Sequence, residues 1–359
     1  VAPQPGDELP AYLPWLDVLR FLACFLVIVL HCMRSAPAAL GHAGVALFFS
    51  ISGFLIGRVL MQSRDLKVFY ARRFLRIYPA YLATLLIFAA LTVTPVMHDP
   101  ESGRLFWHNL QYYLTFTFQL SPDSSRLPLL IVWSLCVEEV FYLVLPIIFL
   151  LGKRTLIAAA LVVIAGILLV PRFYLLPNGE ATWYLFPFNL LTGVGLALWR
   201  PRLRSLFPFV ALVAIGLLLA NVFTNWFQSF GPVSAVLCTA TVWSLAVYSK
   251  PLPRLFTPFQ WMGKLSYGIY LLHLLCISVA VRVLAKLGNT SILAIVALVL
   301  LTTAISVLVA WLLQICVEDP ALSLRRYLKT SPAFRNAVAA LQVSLIPLGI
   351  ILAILRHRQ

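Results

Sequence analysis

Residues 16–31 read LDVLRFLACFLVIVLH. The run is apolar and close to the roughly 20 residues a bilayer crossing needs, yet it carries Asp17, Arg20 and His31. On a helix each residue advances about 100° and rises about 1.5 Å. Eleven steps separate Arg20 from His31, which brings their side chains back to within about 20° of each other, about 16 Å apart along the axis. Asp17 falls within about 40° of the same line. One face of a membrane helix therefore carries a polar ladder. Charges in such a place are costly, face the protein interior or a water-filled cavity, and mark pathways or catalysis. Asp17 and Arg20 are three apart and can pair, which lowers the cost of burying both.

The rest of the chain has the same character. Of 359 residues, 62% are hydrophobic and 11% charged, with a mean hydropathy of +0.95. That composition excludes a soluble globular domain and implies an all-α, polytopic bundle of transmembrane helices. The formal charge of +15 does not indicate nucleic acid as a partner. The cations sit in short connections between apolar runs, where they set membrane topology, rather than in one basic patch. The six cysteines lie in or beside apolar runs, without the spacing of a zinc site or a disulfide framework, and read as small buried hydrophobes. No metal site is expected. Nor is a cleavable signal: the start is acidic and proline-rich, and the first run is too long for a signal core.

Eleven spans are expected, at 13–33, 44–61, 78–97, 131–151, 155–175, 183–199, 206–224, 230–249, 262–285, 291–317 and 336–356. Residues 68–78 (VFYARRFLRIY) read as a separate interfacial helix, and 322–329 as a shorter basic stretch of the same type. Eighteen of the 27 Lys and Arg residues then fall on one side, which makes that side cytoplasmic and the N-terminus inside. Eleven crossings leave the C-terminus outside, although Arg356 and Arg358 argue against the last crossing. Along the chain this gives a cytoplasmic segment 1–12, a membrane domain 13–320, and a basic segment with an extra span at 321–359. The connection at 97–130 is long and rich in Trp107, Tyr112, Tyr113, Phe116 and Phe118. It either lines a sugar- or lipid-binding surface or packs back on the bundle.

Further polar residues interrupt the spans. The fourth opens WSLCVEEVFY, with Glu138 and Glu139 below Trp133. One carboxylate could orient a histidine such as His31 while the other is neutral or paired with an arginine; a structural ion pair is the alternative. The ninth contains SYGIYLLH, with Tyr267, Tyr270 and His273 near mid-membrane. Glu318, in VEDP, reads as a cap or salt-bridge residue ending the tenth span. Histidine with a carboxylate and an arginine points to acyl transfer, the imidazole removing a hydroxyl proton. Oxyanion partners would come from Arg20, Trp133, Ser52 or Tyr270, or from a broken helix at FFSISGFLIG (48–57), where close helix packing is the safer expectation. Ser52 and Cys136 are weak candidate nucleophiles. A transporter or flippase using Asp17, Arg20, Glu138 and His31 as a relay is the rival reading, and a non-catalytic sensor or scaffold a third.

LDVLRFLACFLVIVLH, GVALFFSISGFLI, FYARRFLRIYPAY, WSLCVEEVFYLVLP, SYGIYLLH and VEDP occur in this order between residues 16 and 320. Together they resemble the acyltransferase 3 family of integral membrane O-acyltransferases. The resemblance implies transfer of an acyl group, commonly acetyl from cytoplasmic acetyl-CoA, to a hydroxyl of a glycan or glycoconjugate, often across the membrane. It implies an inner-membrane protein of a bacterial envelope, with the lipid bilayer, acyl-CoA and a carbohydrate acceptor as partners and no bound cofactor. His31 would be the base and Arg20 a donor-site or transition-state residue, with Glu138 and Glu139 beside them. Arg72, Arg73 and Arg76 would form the donor entrance, though lipid contact is the commoner role for such arginines. Asp17, Trp133, Ser52, Tyr270 and His273 would complete the binding residues. The chain ends soon after the eleventh run, without the hydrolase-like domain some relatives append. If the protein is complete at this point, the membrane domain delivers the acyl group itself, with a separate extracytoplasmic partner domain as a further expectation; if the sequence is truncated here, an appended partner domain is missing.

Overall fold

The computed structural model describes residues 12–33, 38–62, 65–94, 100–124, 126–152, 186–199, 207–224, 232–248, 251–285 and 292–356. Among these residues the chain is helical and has no strand. The helices are α1 (Pro14–Cys32), α2 (Ala38–Gln62), α3 (Leu66–Thr92), α4 (Pro100–His108), α5 (Leu110–Leu114), α6 (Val132–Leu151), α7 (Phe186–Trp199) and α8 (Phe207–Thr224). After them come α9 (Pro232–Val247), α10 (Thr257–Lys264), α11 (Ser266–Ala285), α12 (Ile292–Leu313), α13 (Asp319–Ser323), α14 (Tyr327–Thr330) and α15 (Pro332–Arg356). Among the described residues, seven helices are long and apolar enough to cross a membrane, and α7, α8 and α9 contain shorter apolar stretches. This is a multi-pass helical membrane protein. Ten of the eleven expected runs coincide with helices; the run at 155–175 lies outside the described residues.

The chain divides into two compact units. Unit 1 comprises residues 1–62, 153–267 and 276–307; unit 2 comprises 63–152, 268–275 and 308–359.

Unit 1 is built on close backbone approach. Gly53 of α2 lies against the backbone of Leu190 in α7, and Gly193 of α7 against the carbonyl of Ser50, so that a Cβ at either glycine would overlap main-chain atoms. Small residues let membrane helices interlock in this way, where no hydrophobic driving force separates helix from lipid. FFSISGFLIG is thus a packing surface on an unbroken helix. The Asn189 amide pins the pair further, donating to the Ala46 carbonyl at 3.3 Å. Gly263 of α10 sits directly on the carbonyl of Asp17 and fixes α10 against α1.

Unit 2 corrects two expectations. Residues 68–78 are not a separate interfacial helix. They form the first half of α3, which Asp65 caps by accepting from the Val68 N–H and which runs on through Pro79. Proline in a helix interior removes one backbone bond, but neighbouring groups tolerate such a loss in membrane helices. Nor does VEDP end a helix. The π turn at Gln314–Glu318 leads into α13, so helical structure continues from Leu293 to Thr330. The connection after α3 packs inward: Phe106, Tyr112, Tyr113, Phe116 and Phe118 are buried, and Tyr81 stacks on Phe116 with ring centroids 4.7 Å apart. Trp107 stays half-exposed and donates to Thr92. The last apolar run is a helix long and apolar enough to cross a membrane despite its flanking cation. Arg356 donates to the His108 carbonyl at 2.8 Å, while Arg335 at the other end of α15 lies 4.0 Å from Asp65. Between these ends α15 packs against α3.

Candidate active site

The candidate residues of unit 1 are concentrated on α1. Asp17 is buried, and its carboxylate accepts from Arg20 Nη1 at 3.1 Å and from the Tyr12 hydroxyl at 2.5 Å. Gln260 donates to the Tyr12 oxygen at 2.8 Å, and the Lys264 ammonium lies 5.5 Å from the Tyr12 ring centroid. Burial and the Asp17 acceptor push the Tyr12 phenol up to about 12, so it remains a donor at neutral pH. This shell holds Arg20 by its carboxylate neighbour while leaving its side chain 30% exposed. The Cys24 thiol, one turn on, donates to the Ser266 carbonyl at 3.2 Å and is fully buried, a packing role.

His31 closes the ladder. It is exposed, and its Nδ1 lies 2.8 Å from the Val27 carbonyl. A carbonyl can only accept, so Nδ1 is the donor in this contact, and in the neutral ring the lone pair then falls to Nε2. The arrangement that makes imidazole a general base is therefore set by the helix's own backbone, four residues back. Ser52 of α2 also belongs to unit 1 and is half-buried.

The other candidates lie in unit 2. Glu139 is buried; the Gln342 amide of α15 donates to its Oε2, while Oε1 finds no partner among the described residues. Arg73 is within electrostatic reach of this carboxyl, and its guanidinium lies over the Tyr142 ring, 3.7 Å from the centroid. Arg76 forms a 3.0 Å ion pair with Glu318, which is buried. Glu318 is thus a salt-bridge residue, and Arg73 and Arg76 each have a protein partner, the Tyr142 ring and the Glu318 carboxylate. Arg72 is exposed. Glu138, one step round the helix from Glu139, and Trp133 are half-buried; the Trp133 carbonyl accepts from Gln119.

Tyr270 also belongs to unit 2. Its hydroxyl lies 2.7 Å from the Ser134 hydroxyl and 3.3 Å from the Ile131 carbonyl, which ties α11 to the start of α6. His273 is buried, with Nδ1 against the Tyr270 carbonyl at 2.6 Å. Five of the six cysteines are buried and Cys316 is exposed. Cys136 is among the buried ones, a poor position for a nucleophile that must meet a polar thioester.

Gln342 had no place in the reading of the sequence, and Arg325 entered it only as one cation of the basic stretch 322–329. A lone glutamine within an apolar run is a signal of the same kind as Glu139.

A ladder of ionisable groups along one apolar helix, a histidine whose Nδ1 faces a backbone carbonyl, and carboxylates and arginines on other helices mark a membrane protein with polar groups set into its spans. The acyltransferase-domain family matches residues 13–311, and the chain belongs to that family, acyltransferase 3. A peptidoglycan O-acetyltransferase of Listeria monocytogenes is 28% identical over 76% of this chain and 50% of its own length. A putative peptidoglycan O-acetyltransferase of Bacillus subtilis is 30% identical over 73% of this chain and 48% of its own length. A putative O-acetyltransferase of Staphylococcus aureus is 28% identical over 74% and 51%. The chain spans about half the length of these curated relatives. No solved structure matches it.

Proposed function

We propose that this protein is an O-acyltransferase of a bacterial plasma membrane. It moves an acetyl group from cytoplasmic acetyl-CoA to a hydroxyl of a cell-envelope glycan. The N-terminus is cytoplasmic, so Asp17 and Arg20 lie on the donor side and His31 on the acceptor side. The observation that carries this reading is the Nδ1–H bond from His31 to the Val27 carbonyl, which leaves Nε2 as the basic nitrogen. His31 takes the proton of the acceptor hydroxyl as that oxygen attacks the thioester carbonyl. The C–S bond breaks, and the thiolate leaves as CoA-SH with the proton returned from the imidazolium.

Distance decides the role of Arg20. About 16 Å of helix rise separates it from His31, beyond what one extended guanidinium side chain covers. Arg20 therefore binds the donor, and the oxyanion is held elsewhere. The family membership and the names of the relatives support the acetyl group and the glycan acceptor.

The test is turnover of labelled acetyl-CoA by the purified chain in nanodiscs with peptidoglycan fragments. His31→Ala is expected to lose about 10²–10⁴-fold in kcat while remaining folded. Unchanged turnover removes the mechanism. Movement of a substrate across proteoliposomes without thioester consumption replaces it with a transporter.

A further inference from the structure

Unit 2 gathers four guanidinium groups from two distant parts of the sequence. Arg72, Arg73 and Arg76 come from the first half of α3. Arg325, from the 3₁₀ turn Leu324–Arg326, lies within electrostatic reach of all three and approaches the Arg72 carbonyl at 3.4 Å. Their ties are unequal. Arg76 is neutralised by Glu318, and Arg73 is spread over the Tyr142 ring with its buried Nε lacking an acceptor among the described residues. Arg72 and Arg325 are exposed. Asp319, the next acid along, accepts instead from Gln314 at 3.5 Å. Like charges repel at this range, and four guanidiniums meet two carboxyls, Glu318 beside Arg76 and Glu139 within reach of Arg73, so the cluster calls for further counter-charge. Planar guanidiniums bind phosphate oxygens bidentately.

We propose that Arg325, with Arg72 and Arg73, forms a phosphate site that holds the nucleotide phosphates of the thioester donor. This rests on the acyltransfer reading above and adds to it a residue from beyond the segment that the family matches. An anionic lipid headgroup offers the same phosphate chemistry. The side chains alone do not distinguish the two sources, but substrate kinetics do.

Wild type, Arg325→Ala and Arg325→Lys of the full chain are to be assayed in nanodiscs of neutral phosphatidylcholine. The donors are acetyl-CoA and acetyl-pantetheine, which lacks the nucleotide. Arg325→Ala should raise KM for acetyl-CoA about tenfold, the size of one charge-assisted pair, with kcat within about twofold. KM for acetyl-pantetheine should not move, and inhibition by adenosine 3′,5′-bisphosphate should weaken in step. Arg325→Lys, which keeps the charge without the fork, should fall between, and it carries the test if the alanine variant does not fold. An effect that arises only after phosphatidylglycerol is added assigns the site to lipid and overturns the proposal, as does an equal loss on both donors or none on either. Absence of turnover in wild type refutes the acyltransfer reading, and this proposal with it. Normal wild-type turnover with unaltered variants refutes this proposal alone.

Discussion

The contact between Gln342 and Glu139 joins the last helix to the fourth span, and its strength can be worked from the structure. Glu139 is 1% exposed, Gln342 donates to its Oε2, and Oε1 has no partner among the described residues. Gln342→Leu preserves volume and removes the only donor that reaches the carboxyl by hydrogen bond among the described residues. A buried polar group left unsatisfied costs about 1–3 kcal/mol, and more if it is charged. Replacing both partners by apolar groups of similar shape is nearly neutral. Gln342→Leu alone should therefore destabilise by about 2 kcal/mol, whereas in a Glu139→Leu background it should cost little. The coupling between the two positions is then about 1–3 kcal/mol. Reversible unfolding in mixed micelles by added denaturing detergent, followed by tryptophan fluorescence, measures all four corners of the cycle. If the two substitutions add to within about 0.5 kcal/mol, the contact is not a coupled pair. The place of α15 in the site would then rest on packing alone.

Three other outcomes follow from the same coordinates. Gly53→Val places a side chain on the backbone of Leu190, which cannot yield as a flexible side chain would; a loss of about 3 kcal/mol, the upper end of overpacking costs, should appear as reduced thermal stability in detergent. Gly195→Ala in α7 meets nothing within 4 Å and should instead gain up to about 1 kcal/mol in helix propensity, a shift of opposite sign in the same melting assay. Glu318→Gln removes the partner of Arg76 beside three further guanidiniums. Because the Arg76 side chain is 36% exposed, the cost should be about 1–3 kcal/mol, below the 3–5 of a fully buried pair, and a denaturation midpoint equal to wild type would refute the pairing.

What the sequence reveals and what it hides divide along a physical line. The first span is legible because helix geometry is rigid: once residues 14–32 are helical, the spacing of Asp17, Arg20 and His31 follows, and the structure keeps them on one continuous helix. The small-residue surface of α2 is legible for a similar reason, since glycines at Gly53 and Gly57 favour close approach whichever helix answers them. The basic stretch before Pro79 misleads. Arginines and a proline are usual at a membrane boundary, and only tertiary partners reveal that they belong to the interior of a longer helix. Those partners are Glu318 for Arg76 and the Tyr142 ring for Arg73, 242 and 69 positions away along the chain. The same distance hides Gln342, because one amide in an apolar run says that something polar is near without saying what.

The tautomer of His31 belongs to both sides of that line. A histidine four residues after any helical residue can reach back to its carbonyl, so the bond to Val27 is a local possibility in the sequence and becomes an observation in the structure. Its consequence for the proposed chemistry is specific. In most histidine bases a carboxylate holds Nδ1–H and stabilises the imidazolium as it forms. In α1 a neutral carbonyl holds it, which orients the ring without adding a full negative charge at Nδ1. An anionic acceptor would therefore bind more tightly to the protonated form of the ring than a neutral one. An O-acyltransfer rate that depends on the charge of the acceptor, and loses that dependence in His31→Gln, would bear this out; a rate indifferent to acceptor charge in both proteins would rule it out.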